Sequence, residues 1–155
     1  MMQYPPGLRH LLAKTKLFTD AKDYVIMRLP VDQVKEAARL IAQTSRPFTA
    51  MLRDKDEVTL VLPRADWGLL DVTVDVSEAS PDYRLITFDL PLELGLVGYL
   101  ATMSSTVAEA GVSIFPLSSF SRDHIFVPAE DFQCAWDALR ELIQTCQLAE
   151  AAERQ

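Results

Sequence analysis

The sequence predicts an α+β fold built as two tandem βαββαβ modules, each an antiparallel sheet with its helices on one face. Three observations predict it. The order strand, helix, strand, strand occurs twice along the chain. Each occurrence closes on a similar segment, VLPRADW from Val61 and FVPAEDF from Phe126, in which an apolar strand end meets proline, an acid and an aromatic residue. Proline cannot donate to a ladder, so both strands stop there. Finally, Phe132, Ala135, Trp136, Leu139, Leu142 and Ile143 form an unbroken helical stripe after the second segment.

The elements follow in order. Residues 24–29 (YVIMRL) read as a strand, and Val31, Val34, Ala38 and Ile41 mark one face of a helix over 31–43. Residues 48–52 and 58–62 are two strands joined by the polar turn Arg53-Asp54-Lys55-Asp56-Glu57. After Asp66 the helix of this first copy is short or absent. Residues 70–76 (LDVTVDV) alternate without a fault and predict a half-buried strand. In the second copy 83–90 is a strand, and Val97, Leu100, Ala101, Ser104, Val107 and Ala108 face one side of a helix over 98–110. Residues 112–117 and 124–127 are strands and 130–144 a helix, with Trp67 and Trp136 as core anchors. The implied organisation is an N-terminal extension (1–22), a first module (23–80), a second module (81–145) and a C-terminal tail (146–155).

Composition bounds the function. The chain has 155 residues, 49% hydrophobic and 24% charged, which suits a globular core. A formal net charge of −7 argues against a nucleic-acid partner, because phosphate neutralisation needs a basic surface. No stretch is long and apolar enough for a membrane span, and MMQYPPGLRH lacks the apolar region of a signal peptide. Cys134 and Cys146 would lie roughly 18 Å apart on one helix and cannot bridge, which suits reduced thiols in the cytoplasm. The two histidines, His10 and His124, form no metal-ligand pattern, and no cofactor motif is present. Neither a nucleophile elbow nor a phosphate-cradling loop occurs. Asp123 and His124 are neighbours on a strand and point to opposite faces, so a catalytic role is not expected.

The candidate site is the stretch 111–127, GVSIFPLSSFSRDHIFV, with the helix before it. Polar residues sit there at strand ends beside a helix start. Asp123 can accept a bond from an ammonium group, and backbone N–H groups at the start of the Gly98 helix can meet a carboxylate. The Ser113 and Ser119 hydroxyls can donate or accept, and Phe120 can pack on an aliphatic stem or stack on a guanidinium. Plainer readings stand beside these. Asp123 is also a turn former, the serines also solvent-facing, Phe120 also a core or interface residue, and Gly98 also a helix-start glycine.

With these residues in view, the chain resembles ACT domains over residues 23–143. It is similar in particular to the amino-terminal half of the cytosolic arginine sensors of the CASTOR type and to related small bacterial proteins. GVSIFPLSSFSRDHIFVPAED carries the match, through the pattern GxSxF, then S[ST][FY], then D[HFY]xxVP. The resemblance implies ferredoxin-like, ACT-like modules that bind an amino acid and regulate a target protein. Ligand would lie at an interface between modules, which one pair of modules supplies only as a homodimer. Carried over by residue, the ligand contacts fall on Ser113 and Ile114 at the strand start and on Ser119, Phe120 and Asp123 at the bend. Glu93, Gly95 and Gly98 follow in the loop before the helix. The competing expectation is a ligand-free structural or dimerisation module.

Overall fold

A computed structural model describes residues 4–44, 48–68 and 73–154. In chain order the elements are α1 (Pro6–Lys14), β1 (Leu17–Phe18), β2 (Asp23–Pro30), α2 (Val34–Gln43), β3 (Ala50–Arg53) and β4 (Glu57–Pro63). They continue with β5 (Glu78–Ala79), β6 (Tyr83–Phe88), α3 (Tyr99–Glu109), β7 (Phe115–Ser118), β8 (Asp123–Pro128) and α4 (Phe132–Ala152). Single 3-10 turns over Val31–Gln33, Arg64–Asp66 and Ala129–Asp131 follow the prolines that end β2, β4 and β8. The chain divides into two compact units, one of residues 21–84 and one of residues 1–20 with 85–155.

In the contiguous unit the strand order is β3-β4-β2, with β5 on the other edge of β2, and these pairings are antiparallel. Val25, Met27 and Leu29 of β2 and Val58, Leu60 and Leu62 of β4 point to one face. Ala37 and Leu40 of α2 cover them. The β3–β4 turn is fixed by Asp54, whose Oδ1 accepts from the N–H groups of Asp56 at 2.7 Å and Glu57 at 2.9 Å. Those donors hold the Asp54 carboxyl below its usual range.

Residues 70–76 differ from expectation. Of the described part, 73–76 are not paired as a strand, and residues 70–72 lie outside the described residues. The alternation still has its cause, because Val74 and Val76 pack on the α2 face of the core. The backbone is satisfied elsewhere: Asp75 N–H donates to the Gln33 side chain at 3.1 Å, and Ser77 N–H to Arg28 O at 2.8 Å. A single turn, Arg64–Asp66, closes the first copy at the acid, and residues 69–72 beyond it lie outside the described residues. Trp67 is 37% exposed and does not anchor the core.

In the other unit the order is β7-β8-β6, with β1 pairing β6 through Leu17↔Phe88 and Phe18↔Thr87. Ile86 and Phe88, with Ile125 and Val127, meet Tyr99, Met103 and Val107 of α3 and Ala135 and Leu139 of α4 in one core cluster. The two helices therefore cover the same face, as expected. Leu12 of α1 is fully buried in that cluster. Residues expected as an extension thus supply a helix and a strand. Residues beyond 145 continue α4 to Ala152, where Glu150 takes Arg9 Nε at 3.0 Å and His10 Nδ1 lies at 3.2 Å. Gln147 Nε2 donates to Ala13 O at 3.0 Å. β7 starts at Phe115 rather than Val112, and β3 at Ala50 rather than Phe48. Cys134 is exposed and Cys146 buried, both as free thiols.

Burial of Leu12 makes a direct test. Leu12→Ala is expected to destabilise by about 2–5 kcal/mol in urea unfolding, as for other buried leucines. Leu148→Ala, at a side chain 73% exposed on the same helical pair, should stay within about 0.5 kcal/mol. Equal midpoints for the two variants would show that residues 1–20 add nothing to the core.

Candidate functional site

The site is a cavity of about 270 Å³ in the discontinuous unit, walled by the loop after β6, the first turn of α3 and the β7–β8 hairpin. The loop is held from below. Asp89 N–H donates to Lys16 O at 2.7 Å, and Leu92 N–H donates to Ser121 O at 2.8 Å, which ties it to the hairpin. Arg122 Nε bonds Asp89 Oδ1 at 2.9 Å and fastens the same two segments through side chains.

Gly98 ends the loop and caps α3. Its φ of +91° lies in the left-handed region, where an L side chain is strained, and an added Cβ would sit 3.4 Å from Leu8 Cδ2. Thr102 returns both its N–H, at 3.0 Å, and its hydroxyl, at 2.9 Å, to Gly98 O. No side chain caps the helix start. The first N–H groups of an α-helix have no partner within the helix, and Tyr99, Leu100 and Ala101 line the cavity. They present donors and the positive end of the helix dipole to whatever enters.

The opposite wall is acidic. β7 and β8 pair with Ser118 opposite Asp123, and Ser119 N–H donates to Arg122 O at 2.9 Å to close the hairpin. Ser118 Oγ donates to Asp123 Oδ1 at 2.6 Å. This fixes the half-buried carboxylate without using its second oxygen. Glu93 adds a second acid, while the Arg122 guanidinium is engaged with Asp89. Phe120 stands at the rim, 79% exposed, with Leu94 at 73%.

Behind the cavity lie two polar relays that the sequence did not announce. Thr15 Oγ1 donates to Leu11 O at 2.9 Å, so the 2.6 Å contact with Tyr99 is donated by the phenol. Burial, with the Asp123 charge adding to it, pushes the Tyr99 pKa up to about 12. The phenol is therefore a fixed neutral donor. Ser119 Oγ gives its proton to Arg122 O at 3.1 Å, so the His124 Nε2 contact at 3.4 Å requires an Nε2–H. Nδ1 then accepts from Thr87 Oγ1 at 2.8 Å. This is a neutral imidazole, and burial lowers the His124 pKa, with Arg122 adding to it and Asp123 opposing.

Of the residues expected at the site, Glu93, Gly98, Ser119, Phe120 and Asp123 line this cavity together. Gly95 is in the same loop but outside the lining. Ser113 and Ile114 precede β7 at its opposite end, and Ile114 packs on the core. Five residues of extended chain separate Ser113 from Ser118, roughly 17 Å. A cavity in one chain does not include them. Tyr99, Ser118 and Arg122 were missed; a hydroxyl opposite an acid across a hairpin was the readable signal for Ser118 alone. Among the described residues no cluster of His, Cys, Asp and Glu can hold a metal ion, and no helix is long and apolar enough to cross a membrane.

This geometry defines a small α+β module with a ligand-sized cavity at the start of a helix. Residues 78–141, which hold the whole cavity lining, match the family model of the ACT domain. Among solved structures, a Vibrio cholerae protein of unknown function, described as a possible transport protein, is 28% identical with a TM-score of 0.64, over 88% of this chain and 95% of that one. An Agrobacterium tumefaciens protein is 24% identical at TM-score 0.62, over 83% and 89%. The regulatory subunit of aspartate kinase from Thermus flavus shares the fold at TM-score 0.61 and 15% identity, over 81% and 95%. No curated protein matches the sequence.

The His124 relay predicts a pH dependence. The folded pKa lies below the ordinary 6.5, so as pH falls the unfolded chain takes up the proton first. His124's contribution is complete above that value and is lost as pH drops from about 7 toward 5. Thermal melts over this range should show stability falling, and His124→Gln should flatten the fall. Asp54 and Glu150, whose carboxylates are held below their ordinary values, titrate in a lower window. An unchanged slope in His124→Gln would remove the relay.

Proposed function

We propose that this chain is an amino-acid-binding regulatory protein, a sensor without catalytic activity of its own. One observation carries the reading: a helix start with free N–H groups faces a fixed, half-buried carboxylate across a cavity of about 270 Å³. A free amino acid is the small molecule that needs both. Its carboxylate meets the N–H groups of Tyr99, Leu100 and Ala101, and its ammonium meets Asp123. Ser119 and Gly98 allow close approach, while Glu93 and Phe120 face the side chain. The match of residues 78–141 to the ACT domain supports a small-molecule regulatory role.

The module reading goes with it. Residues 23–80 and 81–145 are two ACT-like modules in tandem, and residues 1–22 and 146–155 add to the second. Ser113 and Ile114 enter the site from a second copy, whose strand start closes the open rim at Phe120 and Leu94. A symmetric homodimer would use each copy's rim and strand start once. The protein acts in the cytoplasm on a target protein that the ligand-bound dimer engages. Among the solved structures alike in fold, one is a regulatory subunit, that of aspartate kinase from Thermus flavus.

A thermal-shift screen against the twenty amino acids should show one or a few raising the melting temperature, since ligand bound only to the folded state stabilises it. Asp123→Ala should weaken that ligand by tenfold to a hundredfold, the loss of one charge-assisted bond of about 1.5–3 kcal/mol, with little effect on folding. Ser113→Ala should have a smaller effect. A flat screen at millimolar ligand, with a dimer still present by sedimentation, would instead favour a dimerisation module.

A further inference from the structure

A second cavity, about 340 Å³, opens where the start of β1 meets the middle of α4. Its chemistry is unlike that of the first. Lys16 and Arg140 line it, neither is in an ion pair among the described residues, and no acid is in the lining. The acid one turn before Arg140, Asp137, accepts the Gln133 amide at 3.0 Å. In a chain of net charge −7 two unmatched cations facing one hollow are not a solubility device.

Apart from the two cations, the lining is Leu17, Trp136 and Ile143 on the apolar side and Thr15, Gln144 and Gln147 on the polar side. Trp136 stacks on Phe132 with ring centroids 5.4 Å apart, which covers one face of the indole. The residue is half-buried and lines the cavity with Leu17 and Ile143. Gln147 gives its NH₂ to Ala13 O, which leaves its carbonyl oxygen as an acceptor at the wall. Thr15, also in the lining, has its hydroxyl committed to Leu11 O and Tyr99.

We propose that this cavity binds a small flat dianion of the nucleoside-monophosphate class. The phosphate would lie between Lys16 and Arg140, where a guanidinium fork and an ammonium together match its charge. The base would stack on the open part of Trp136, beside Leu17 and Ile143. The Gln147 carbonyl would accept from a ring or ribose donor. A bare anion leaves the apolar walls unused, and a neutral nucleoside leaves the two cations unmatched. The cavity's size falls at the lower end of that usual for small-ligand sites, about 300–1,000 Å³. The site is separate from the acidic cavity and does not depend on what that cavity holds.

The test uses the full chain with Trp67→Phe, which leaves Trp136 as the one tryptophan reporter. Titration with AMP should quench Trp136 fluorescence saturably at submillimolar concentration, confirmed by calorimetry. Adenosine and inorganic phosphate should each bind at least tenfold more weakly. Arg140→Gln and Lys16→Gln should each weaken AMP about tenfold or more, with unchanged melting temperatures, because both side chains are exposed and carry no packing. No saturable response to AMP at several millimolar overturns the proposal, as does equal binding by both variants. Inorganic phosphate as tight as AMP reduces the site to an anion hollow and overturns the nucleoside assignment.

Discussion

The pairing of Leu17 and Phe18 with Phe88 and Thr87 is the constraint from which the cavity-bearing unit follows. Two residues of ladder are slight by themselves, yet they fix what lies on either side. Before them, Thr15 meets Tyr99 and Leu12 enters the core under α3 and α4. After Phe88, Asp89 hangs from Lys16 O and turns the chain into the loop that walls the cavity. The rim, the first turn of α3 and the hairpin are thus referred to one point in the sheet. A binding residue on a loop is only as well placed as the frame beneath it, and here that frame is short backbone bonds around β1.

The same strand order serves both units. Each has a long central strand flanked by a hairpin on one side and a two-residue strand on the other. They differ at the position that makes a site. In the contiguous unit β2 ends at Pro30 and one turn leads directly into α2. In the other, residues 89–98 intervene between β6 and α3, with Gly98 as the N-cap. Neither helix start has a side-chain cap, so the added loop, which walls the cavity, is what sets the two apart. A like strand order therefore does not carry the same chemistry with it.

Periodicity carried most of the architecture. The stripes of α2, α3 and α4 and the runs of β2, β4, β6 and β8 are strong because each buries one face or one stripe in a core. What escaped is physically of another kind. β1 is two residues long, and its partner lies far along the chain, so no local pattern marks it. Residues 73–76 alternate because Val74 is buried and Val76 packs against the same core, but burial sets alternation and hydrogen bonding sets a strand, and the two part company there. At the cavity, Asp123, Ser119, Phe120 and Gly98 stood out as an acid, a hydroxyl, an aromatic ring and a glycine at element ends, while Glu93 came only with the family resemblance. Tyr99 was not, since a tyrosine in a helix looks like core until its hydroxyl finds Thr15. Ser113 and Ile114 came as ligand contacts with the family resemblance, at the start of the strand that opens the β7–β8 hairpin. Its register places them at the other end.

The unit that holds the cavity is assembled from the two ends of the chain, while residues 21–84 form a unit of their own between those ends. On the ribosome this imposes an order. The contiguous unit has all its strands in hand once β5 has emerged and can fold locally. Leu12, Leu17 and Phe18 must wait for β6, α3 and α4, with their apolar side chains unburied meanwhile. The α1–α4 contacts that accompany them are of long range, with Arg9 meeting Glu150 across 141 positions, and such contacts slow folding. The ligand-sized cavity, lined by residues between Leu92 and Asp123, belongs to the unit that waits for these distant segments to meet.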